Sequence, residues 1–240
     1  MAATTGKRDK DAGRWYEAPP MSLALLYADD DLVVVNKPSG MLVHRGWGRD
    51  AVVAMTALRD QLGRQVFPVH RLDRGTSGAL AFALSSVMAG ALQRALAAGL
   101  VCKRYLALVR GIPPDSGTID HPVPSDENGP RVPAVTRFRR LYTFERFSLV
   151  EAEPLTGRLH QIRRHLKHLG HPLVGDVNYG RGEVNRLFRE RFGLFRLALH
   201  AHSLELAQPR TGAELKVRAA LPSDLAEPLS CMGIPSSLWS

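Results

Sequence analysis

A short polar segment between two apolar stretches carries the residues best suited to chemistry. Residues 70–78 read HRLDRGTSG and contain one carboxylate, Asp73, with Arg71 two residues before it and Arg74 directly after it. Nearby guanidinium groups favour the ionised carboxylate, which suits a nucleophile or an electrostatic stabiliser better than a proton donor. The small residues that follow would let a ligand approach the backbone closely. The alternative is a structural turn with a surface salt bridge.

A second polar cluster, residues 156–171, combines arginines and histidines with a helical apolar pattern. Four apolar residues fall at helical spacing and predict a helix over residues 159–169 that packs on one side: Leu159, Ile162, Leu166 and Leu169. The basic residues lie off that stripe and would be exposed to phosphate: Arg158, Arg163, Arg164 and Lys167. The histidines match no metal-binding motif, and the surrounding positive charge disfavours a divalent cation, so no metal is expected.

A predicted strand over residues 101–109 holds two further candidates. Tyr105 follows two cations and could stack on a nucleobase or exchange a proton, or it could be a core tyrosine. Cys102 lacks the histidine and asparagine partners of a thiolate nucleophile, so we expect a buried strand residue. The chain has no GxGxxG or Walker-type loop, and no cofactor is expected.

The net charge indicates a polyanionic partner. The chain has 32 Lys and Arg against 23 Asp and Glu, which gives +9 at pH 7, with a pI near 10.1. The excess is concentrated in residues 137–210, where most of the basic residues are arginines. Arginine binds phosphate through paired N–H donors, and each phosphate that is neutralised releases counterions. The alternative is a basic surface that only keeps the protein soluble.

Length and composition exclude several classes of protein. With 240 residues, 45% hydrophobic and 23% charged, the chain has an ordinary globular composition. No apolar run approaches the roughly 18–20 residues of a membrane span, and two cysteines are too few for a disulfide framework or a structural zinc site. Residues 1–20 are polar, have no signal-peptide core and are predicted to be a disordered leader before one domain, 21–240. A reducing cytoplasm is the expected location.

The elements that must position these side chains alternate between strands and helices. Apolar runs predict strands over residues 23–27, 32–36, 78–84, 101–109, 147–153, 198–206 and 214–218. Helices are predicted over residues 50–62, 85–98, 159–169 and 223–229, with Asp50 and Ser85 or Ser86 as N-caps and Gly63 and Gly99 at the ends. Residues 113–133, rich in Pro, Gly and Asp, are interpreted as an excursion of the chain within one domain, not as a linker between domains. Because the order has no strict βαβ rhythm, we predict an α+β fold with a largely antiparallel sheet.

Four stretches, taken in order along the chain, resemble the RluA family of pseudouridine synthases. They are Asn36-Lys37-Pro38-Ser39-Gly40, His70-Arg71-Leu72-Asp73 with Thr76-Ser77-Gly78, Lys103-Arg104-Tyr105, and Gly157-Arg158 to His165 followed by Gly170-His171-Pro172 and Gly175-Asp176. The resemblance implies that family's fold, a mixed, mostly antiparallel sheet flanked by helices and loops, with an active-site cleft across it. It also implies an isomerase that converts uridine to pseudouridine in RNA and needs neither metal nor cofactor.

The same resemblance implies roles for individual residues. Asp73 corresponds to the essential catalytic aspartate, Arg163 to the basic residue that pairs with it, and Tyr105 to the tyrosine that stacks on the base. Arg71 corresponds to the residue that enters the RNA stack when the target nucleotide flips out. Contacts with the RNA backbone are expected from three more basic residues: Lys37, Arg158 and Arg164.

Longer strings are similar to one branch of the family, TruC, which modifies uridine 65 of tRNA. These strings are HRGW, MTALRDQLGRQVF, RRHLKHLGHPLVGD and FGLFRLALHAHSLEL. We therefore expect tRNA as the partner, no membrane association, a monomer, and no N-terminal S4 domain ahead of the catalytic part. The alternatives are the same chemistry on 23S ribosomal RNA, a catalytically silent RNA-binding protein, and an N-glycosidase that uses a carboxylate.

Overall fold

A computed structural model describes residues 22–45, 52–126 and 129–239. The strands are β1 (Ala24–Ala28), β2 (Leu32–Lys37), β3 (Phe67–Pro68), β4 (Ser77–Ala83), β5 (Cys102–Arg110), β6 (Ser116–Asp120), β7 (Val123–Pro124), β8 (Arg131–Val132), β9 (Val135–Phe144), β10 (Phe147–Pro154), β11 (Leu199–Ala207) and β12 (Glu214–Arg218). The helices are α1 (Ala54–Leu62), α2 (Ser86–Ala97), α3 (Gln161–His168), α4 (Gly182–Phe192) and α5 (Ser223–Cys231), followed by a 3-10 turn, Ser236–Leu238.

One large sheet organises the described residues. Its order is β1-β2-β4-β11-β5-β10-β9-β6, with β12 paired to β11 and β3 paired to β4, while β7 and β8 form a separate small hairpin. The neighbouring strands of the large sheet pair antiparallel, except β4 and β11, which run parallel. The predicted α+β fold with a mixed, mostly antiparallel sheet is therefore confirmed.

The parallel contact between β4 and β11 depends on a glycine. Gly78 has a φ of +113°, and a Cβ atom there would lie 2.2 Å from the carbonyl oxygen of Ala201 on β11. A side chain cannot fit in that space, so glycine alone allows the two backbones to approach. The polar segment that begins at residue 70 consequently ends directly against the middle of the sheet.

The two faces of β5 belong to different apolar clusters, as strand alternation requires. Tyr105 and Ala107 pack into the cluster that also takes Ile162 and Leu166 of α3. Leu106 packs on the other face, in a cluster that includes residues of α4 and α5. Burial of a large aliphatic side chain contributes about 1.5–3 kcal/mol, so the apolar stripe of α3 holds that helix on the Tyr105 side of the sheet.

The predicted helix ends are mostly confirmed. Ser85 precedes α2, and its Oγ accepts a hydrogen bond from the backbone N–H of Met88, while Gly99 follows the helix with a φ of +72°. Gly63 ends α1 in the left-handed region. The start of α1 differs from the prediction, because the helix begins at Ala54 and Asp50 lies outside the described residues.

Six of the strands and helices were not predicted: β3, β6, β7, β8, β9 and α4. The excursion at residues 113–133 contains β6, which pairs with β9 and extends the sheet, together with the β7–β8 hairpin. In β9 arginines interrupt the apolar alternation, since the strand lies toward one edge and leaves those side chains exposed. The sequence does contain a helical pattern for α4, because Val184, Phe188 and Phe192 recur every four residues. In the structure these three side chains pack into one cluster.

The predicted leader, residues 1–20, lies outside the described residues. Within the described ranges, none of the helices is both long and apolar enough to cross a bilayer.

Candidate active site

A cleft of about 840 Å³ opens between the polar segment at residues 70–76, the first half of β5 and residues 153–163. Five of the seven site residues predicted from the sequence line it: Arg71, Asp73, Tyr105, Arg158 and Arg163. The other two, Lys37 and Arg164, do not. The structure therefore brings together side chains that are up to 92 positions apart in the sequence, from Arg71 to Arg163.

Arg163 connects two carboxylates at the base of this cleft. Its Nε and Nη2 donate to both oxygens of Asp176 at 2.7 and 2.9 Å. Its Nη1 donates to Oδ2 of Asp73 at 3.0 Å. Burial alone would lower the pKa of Arg163, but the two carboxylates outweigh burial and hold that pKa above its ordinary value. A fixed positive charge therefore sits against one oxygen of Asp73.

The position of Arg163 corrects one expectation from the sequence. The helical pattern assigned this residue to an exposed, phosphate-facing side of α3, whereas the residue is only 7% exposed. A guanidinium can be buried here because Asp176 binds it through two parallel hydrogen bonds, which offsets the cost of removing the charge from water. Arg163 is thus held inside the protein and presents only Nη1 to Asp73.

Asp176 is itself held by the turn that follows α3. Its Oδ1 accepts from the backbone N–H groups of Asn178 and Tyr179, both at 3.0 Å. Burial would raise the pKa of Asp176, but Arg163 and these N–H donors outweigh burial and lower the pKa. Asn185 of α4 donates to the carbonyl oxygen of Asp176 at 3.0 Å and so fastens the turn. Asp176 belongs to one of the family-like sequence motifs, but no role for it was predicted.

Tyr105 lies on β5 at the floor of the cleft and is almost fully buried. Burial, and to a smaller extent the negative charge of Asp73, raises the pKa of its phenol. The hydroxyl group therefore keeps its proton at neutral pH, and the aromatic ring is available to a planar base that enters the cleft.

A buried network supports the polar segment from behind. Arg196 donates from Nη2 to Oγ of Ser77 at 2.7 Å, and that hydroxyl is 2.8 Å from Nδ1 of His200. Nε2 of His200 lies 3.0 Å from the carbonyl oxygen of Ala219. Because a carbonyl can only accept, Nε2 carries the proton and Nδ1 accepts from Ser77. Burial lowers the pKa of His200 to about 3, so the network holds a neutral imidazole.

Lys37 is placed differently from the prediction that it contacts RNA. Its side chain is fully buried, and Nζ donates to the carbonyl oxygens of Pro38 and Met41, both at 2.8 Å, and to that of Arg74 at 3.4 Å. Burial, with the nearby charge of Arg196, lowers its pKa to about 7. Lys37 therefore ties the turn after β2 to the polar segment, and the expectation of a phosphate contact is wrong because the amine is enclosed by the protein.

The remaining predicted cations lie at or beside the rim of the cleft. Arg71 is exposed, and Arg158 is exposed with one hydrogen bond of 3.2 Å from Nε to the carbonyl oxygen of Pro133. Arg164 is half-buried and donates to the hydroxyl of Tyr179 at 3.0 Å and to the carbonyl oxygen of Pro124 at 2.9 Å. Arg71 and Arg158 are exposed to a ligand, whereas Arg164 is half-buried and donates to two protein acceptors.

Cys102 also lines the cleft but has the properties of an unreactive thiol. Burial is the main reason that its pKa is raised, which disfavours the thiolate. Its side chain is half-buried rather than fully buried as predicted. Within the described ranges, no group of three or more His, Cys, Asp and Glu residues could hold a metal ion.

Comparisons with known proteins identify the family to which this cleft belongs. The family model described as RNA pseudouridylate synthase matches residues 31–168, which include the polar segment, β5 and α3. The chain belongs to the RNA pseudouridylate synthase family. Two curated relatives named tRNA pseudouridine synthase C are similar to it. The one from Haemophilus ducreyi is 43% identical over 84% of this chain and 92% of its own length. The one from Salmonella typhimurium is 43% identical over 88% of this chain and 90% of its own length.

Solved structures of the same family have the same fold. Human RNA Pseudouridylate Synthase Domain Containing 4 superposes with a TM-score of 0.73 at 28% identity, covering 88% of this chain and 93% of that one. Human RNA Pseudouridylate Synthase Domain Containing 1 gives 0.72 at 29% identity, covering 90% of each chain. The predicted pseudouridine synthase fold and the predicted enzyme class, an isomerase of uridine in RNA, are thereby confirmed.

Proposed function

We propose that this pseudouridine synthase acts on tRNA, at uridine 65, and that Asp73 is its essential carboxylate. The choice of tRNA is supported by the curated relatives named tRNA pseudouridine synthase C, which this chain matches over most of its length. The choice of uridine 65 follows from the resemblance of the longer sequence strings to the branch that modifies that position. The concentration of arginine in residues 137–210 fits a partner that carries phosphate.

The reaction needs a carboxylate whose charge and position are fixed. The N1–C1′ bond of uridine breaks, the base turns, a C5–C1′ bond forms, C5 loses its hydrogen and N1 gains one. An ionised carboxylate could attack C1′, attack C6 or assist formation of a glycal, and all three routes need that carboxylate close to the glycosidic bond. The observation that carries the proposal is the 3.0 Å hydrogen bond from Arg163 to Oδ2 of Asp73 inside the cleft.

The other residues of the cleft have complementary roles in this proposal. Tyr105 stacks on the uracil and can exchange a proton, although its raised pKa means that it starts as a donor. Arg71, exposed at the rim, occupies the gap that the flipped nucleotide leaves in the RNA stack. Arg158 contacts the phosphate backbone, and Arg164 contributes less because its guanidinium already donates to Tyr179 and Pro124.

The test uses tRNA transcripts tritiated at C5 of uridine. Pseudouridine formation at C5 releases that tritium to water, so wild type should release it and Asp73→Asn should not, while the tRNA affinity of the variant stays within about threefold. A transcript with cytidine at position 65 should release none. Release from a 23S ribosomal RNA transcript but not from tRNA would overturn the choice of substrate. Equal release by Asp73→Asn would remove Asp73 as the catalyst.

Three organisational features stay predictions beside this proposal. They are a single catalytic domain over residues 21–240, a monomeric state and a cytoplasmic location. Sedimentation of the full chain without RNA would test the monomer directly, since a dimer would double the mass.

A further inference from the structure

His160 lies between Asp73 and the turn that holds Asp176, and the mechanism above does not use it. Its side chain lines the cleft, with Nε2 3.8 Å from Oδ1 of Asp73. Its Nδ1 lies 3.0 Å from the hydroxyl oxygen of Tyr179. Arg163 donates to the other oxygen of Asp73, Oδ2. The imidazole therefore faces the carboxylate oxygen on which Arg163 does not act.

The hydrogen bonds behind His160 favour one tautomer of its imidazole ring. Nε of Arg164 donates to the hydroxyl oxygen of Tyr179 at 3.0 Å. The Tyr179 hydroxyl is then free to donate its own hydrogen to Nδ1 of His160. A neutral imidazole that accepts at Nδ1 carries its hydrogen on Nε2. In this tautomer the N–H group of His160 faces Oδ1 of Asp73.

The backbone of His160 is held in an unfavourable conformation. Its φ is +54°, in the left-handed region that residues other than glycine seldom adopt, although asparagine, aspartate and histidine do so more often than the rest. The residue occupies the N-cap position of α3 without making a side-chain cap. Strain of this kind persists where the surroundings impose it, and it is concentrated at functional sites. Here the contact with Tyr179 keeps the imidazole turned toward the cleft.

The charges around His160 favour the neutral donor. Asp73 and Asp176 favour the imidazolium, whereas burial and the guanidinium groups of Arg163 and Arg164 disfavour it. Burial is the largest influence, and the pKa of His160 is lowered. A neutral N–H donor can hydrogen-bond to Asp73 without neutralising the carboxylate as an ion pair would.

We propose that His160 is a positioning residue for Asp73, and that its Nε2–H group closes onto Oδ1 when RNA fills the cleft. Each carboxylate oxygen then has one donor, and the plane of the carboxylate is fixed toward the ribose. The distance of 3.8 Å exceeds hydrogen-bond range, and such contacts in ligand-free enzymes commonly shorten in the substrate complex. This inference rests on the proposed role of Asp73.

Two substitutions separate this role from a structural one. In His160→Gln the side-chain amide nitrogen can take the place of Nε2 and still reach Asp73, but glutamine is strained at positive φ. In His160→Asn the shorter side chain tolerates positive φ and can reach Tyr179, but not Asp73. Positioning predicts that glutamine is the better replacement, whereas a purely structural role predicts that asparagine is.

The experiment measures single-turnover tritium release from C5-tritiated tRNA with enzyme in excess, together with tRNA affinity. We expect His160→Asn to be about 10- to 100-fold slower than wild type, as for the loss of a hydrogen bond to a charged group, and His160→Gln to be within about tenfold of wild type. Tyr179→Phe, which leaves residue 160 untouched, should be slowed about three- to tenfold because the tautomer is no longer set. Affinity should change less than threefold in all three variants, and His171→Asn, at a half-buried histidine that does not line the cleft, serves as the control.

The outcomes distinguish the two proposals. Equal rates for His160→Asn and wild type, or a faster His160→Asn than His160→Gln at equal affinity, would overturn the positioning role and leave Asp73 untouched. If the glutamine and asparagine variants do not fold, an unchanged rate in Tyr179→Phe would overturn the role. No tritium release by wild type itself would refute the proposed function, and this inference with it.

Discussion

The floor and the rim of the cleft use positive charge in opposite ways. On the floor, Arg163 is buried and donates to both Asp73 and Asp176 through three hydrogen bonds. At the rim, Arg71 and Arg158 are exposed. A buried cation with fixed partners holds a reacting group at one place, and removing a partner is costly. An exposed cation contributes little to folding but is free to replace a counterion of RNA. The floor is therefore suited to chemistry and the rim to affinity.

The largest expected effect comes from removing the guanidinium on the floor. Arg163→Met leaves the buried carboxylate of Asp176 without its partner, so we expect a loss of about 3–5 kcal/mol in the free energy of unfolding together with loss of turnover. Urea denaturation measures the first and tritium release the second. Arg139→Met is the matched control, because its partner Glu151 lies in an exposed pair, and it should change stability by less than about 1 kcal/mol. Similar losses in both variants would erase the distinction between buried and exposed arginine.

A smaller effect is expected from acidifying the network behind the floor. His200 has a pKa near 3 when folded against an ordinary value of about 6.5 when unfolded. Below pH 6.5 the imidazole of His200 therefore binds a proton in the unfolded chain but not in the folded chain, and stability falls as the pH drops from 6.5 toward 3. Between pH 7 and pH 5 this residue should cost about 2 kcal/mol of unfolding free energy. Urea denaturation of His200→Gln should show a drop that is smaller by that amount, and an equal drop in both proteins would contradict the assignment.

The next prediction concerns the rim cation that fills the RNA stack. Arg71→Ala should slow modification of folded tRNA by about tenfold, since nothing then occupies the gap of the flipped nucleotide. A flexible single-stranded fragment with the same target uridine has less stacking to lose, and its rate should fall no more than about threefold. Comparable losses on the two substrates would show that Arg71 does not act on the stack.

The smallest expected effect distinguishes two rim arginines from each other. Arg158→Ala should weaken tRNA binding and reduce the slope of log affinity against log salt by about one, as for one lost phosphate contact. Arg164→Ala should change that slope by less, because its guanidinium already donates to Tyr179 and Pro124. Filter binding over a salt series measures both slopes. An unchanged slope for Arg158→Ala would remove it from the RNA interface.

The elements that were predicted correctly are those whose signal lies in a few neighbouring residues. Ser85 and Gly99 bound α2 because capping is a property of a few neighbouring residues, and the bounds of β12 agree with the prediction. Other elements were missed because their cause lies elsewhere in the chain. Arginines obscure the strand pattern of β9, and the partners of Arg137 and Arg139 are on β10.

The residues of the site divide in the same way, into those predicted from local sequence and those placed by distant partners. The segment around Asp73 is continuous in sequence and carries its own signal, so its place in the cleft could be predicted. The burial of Arg163 depends on Asp176, and that of Lys37 on carbonyl oxygens of a turn and of Arg74. Helical periodicity gives the direction of a side chain but not what meets it there. The orientation of His160 depends on its positive φ and on Tyr179, which no spacing rule indicates.

One residue of the floor and one of the rim, Asp73 and Arg158, would show whether catalysis and RNA binding are divided between the two regions. Single-turnover tritium release and tRNA affinity would be measured for Asp73→Asn and Arg158→Ala beside wild type. We expect Asp73→Asn to bind tRNA normally and to release no tritium, whereas Arg158→Ala should bind more weakly and release tritium at the wild-type rate once saturated. A variant of Asp73 that fails mainly in binding, or a variant of Arg158 that stays slow at saturation, would contradict the division between a catalytic floor and a binding rim.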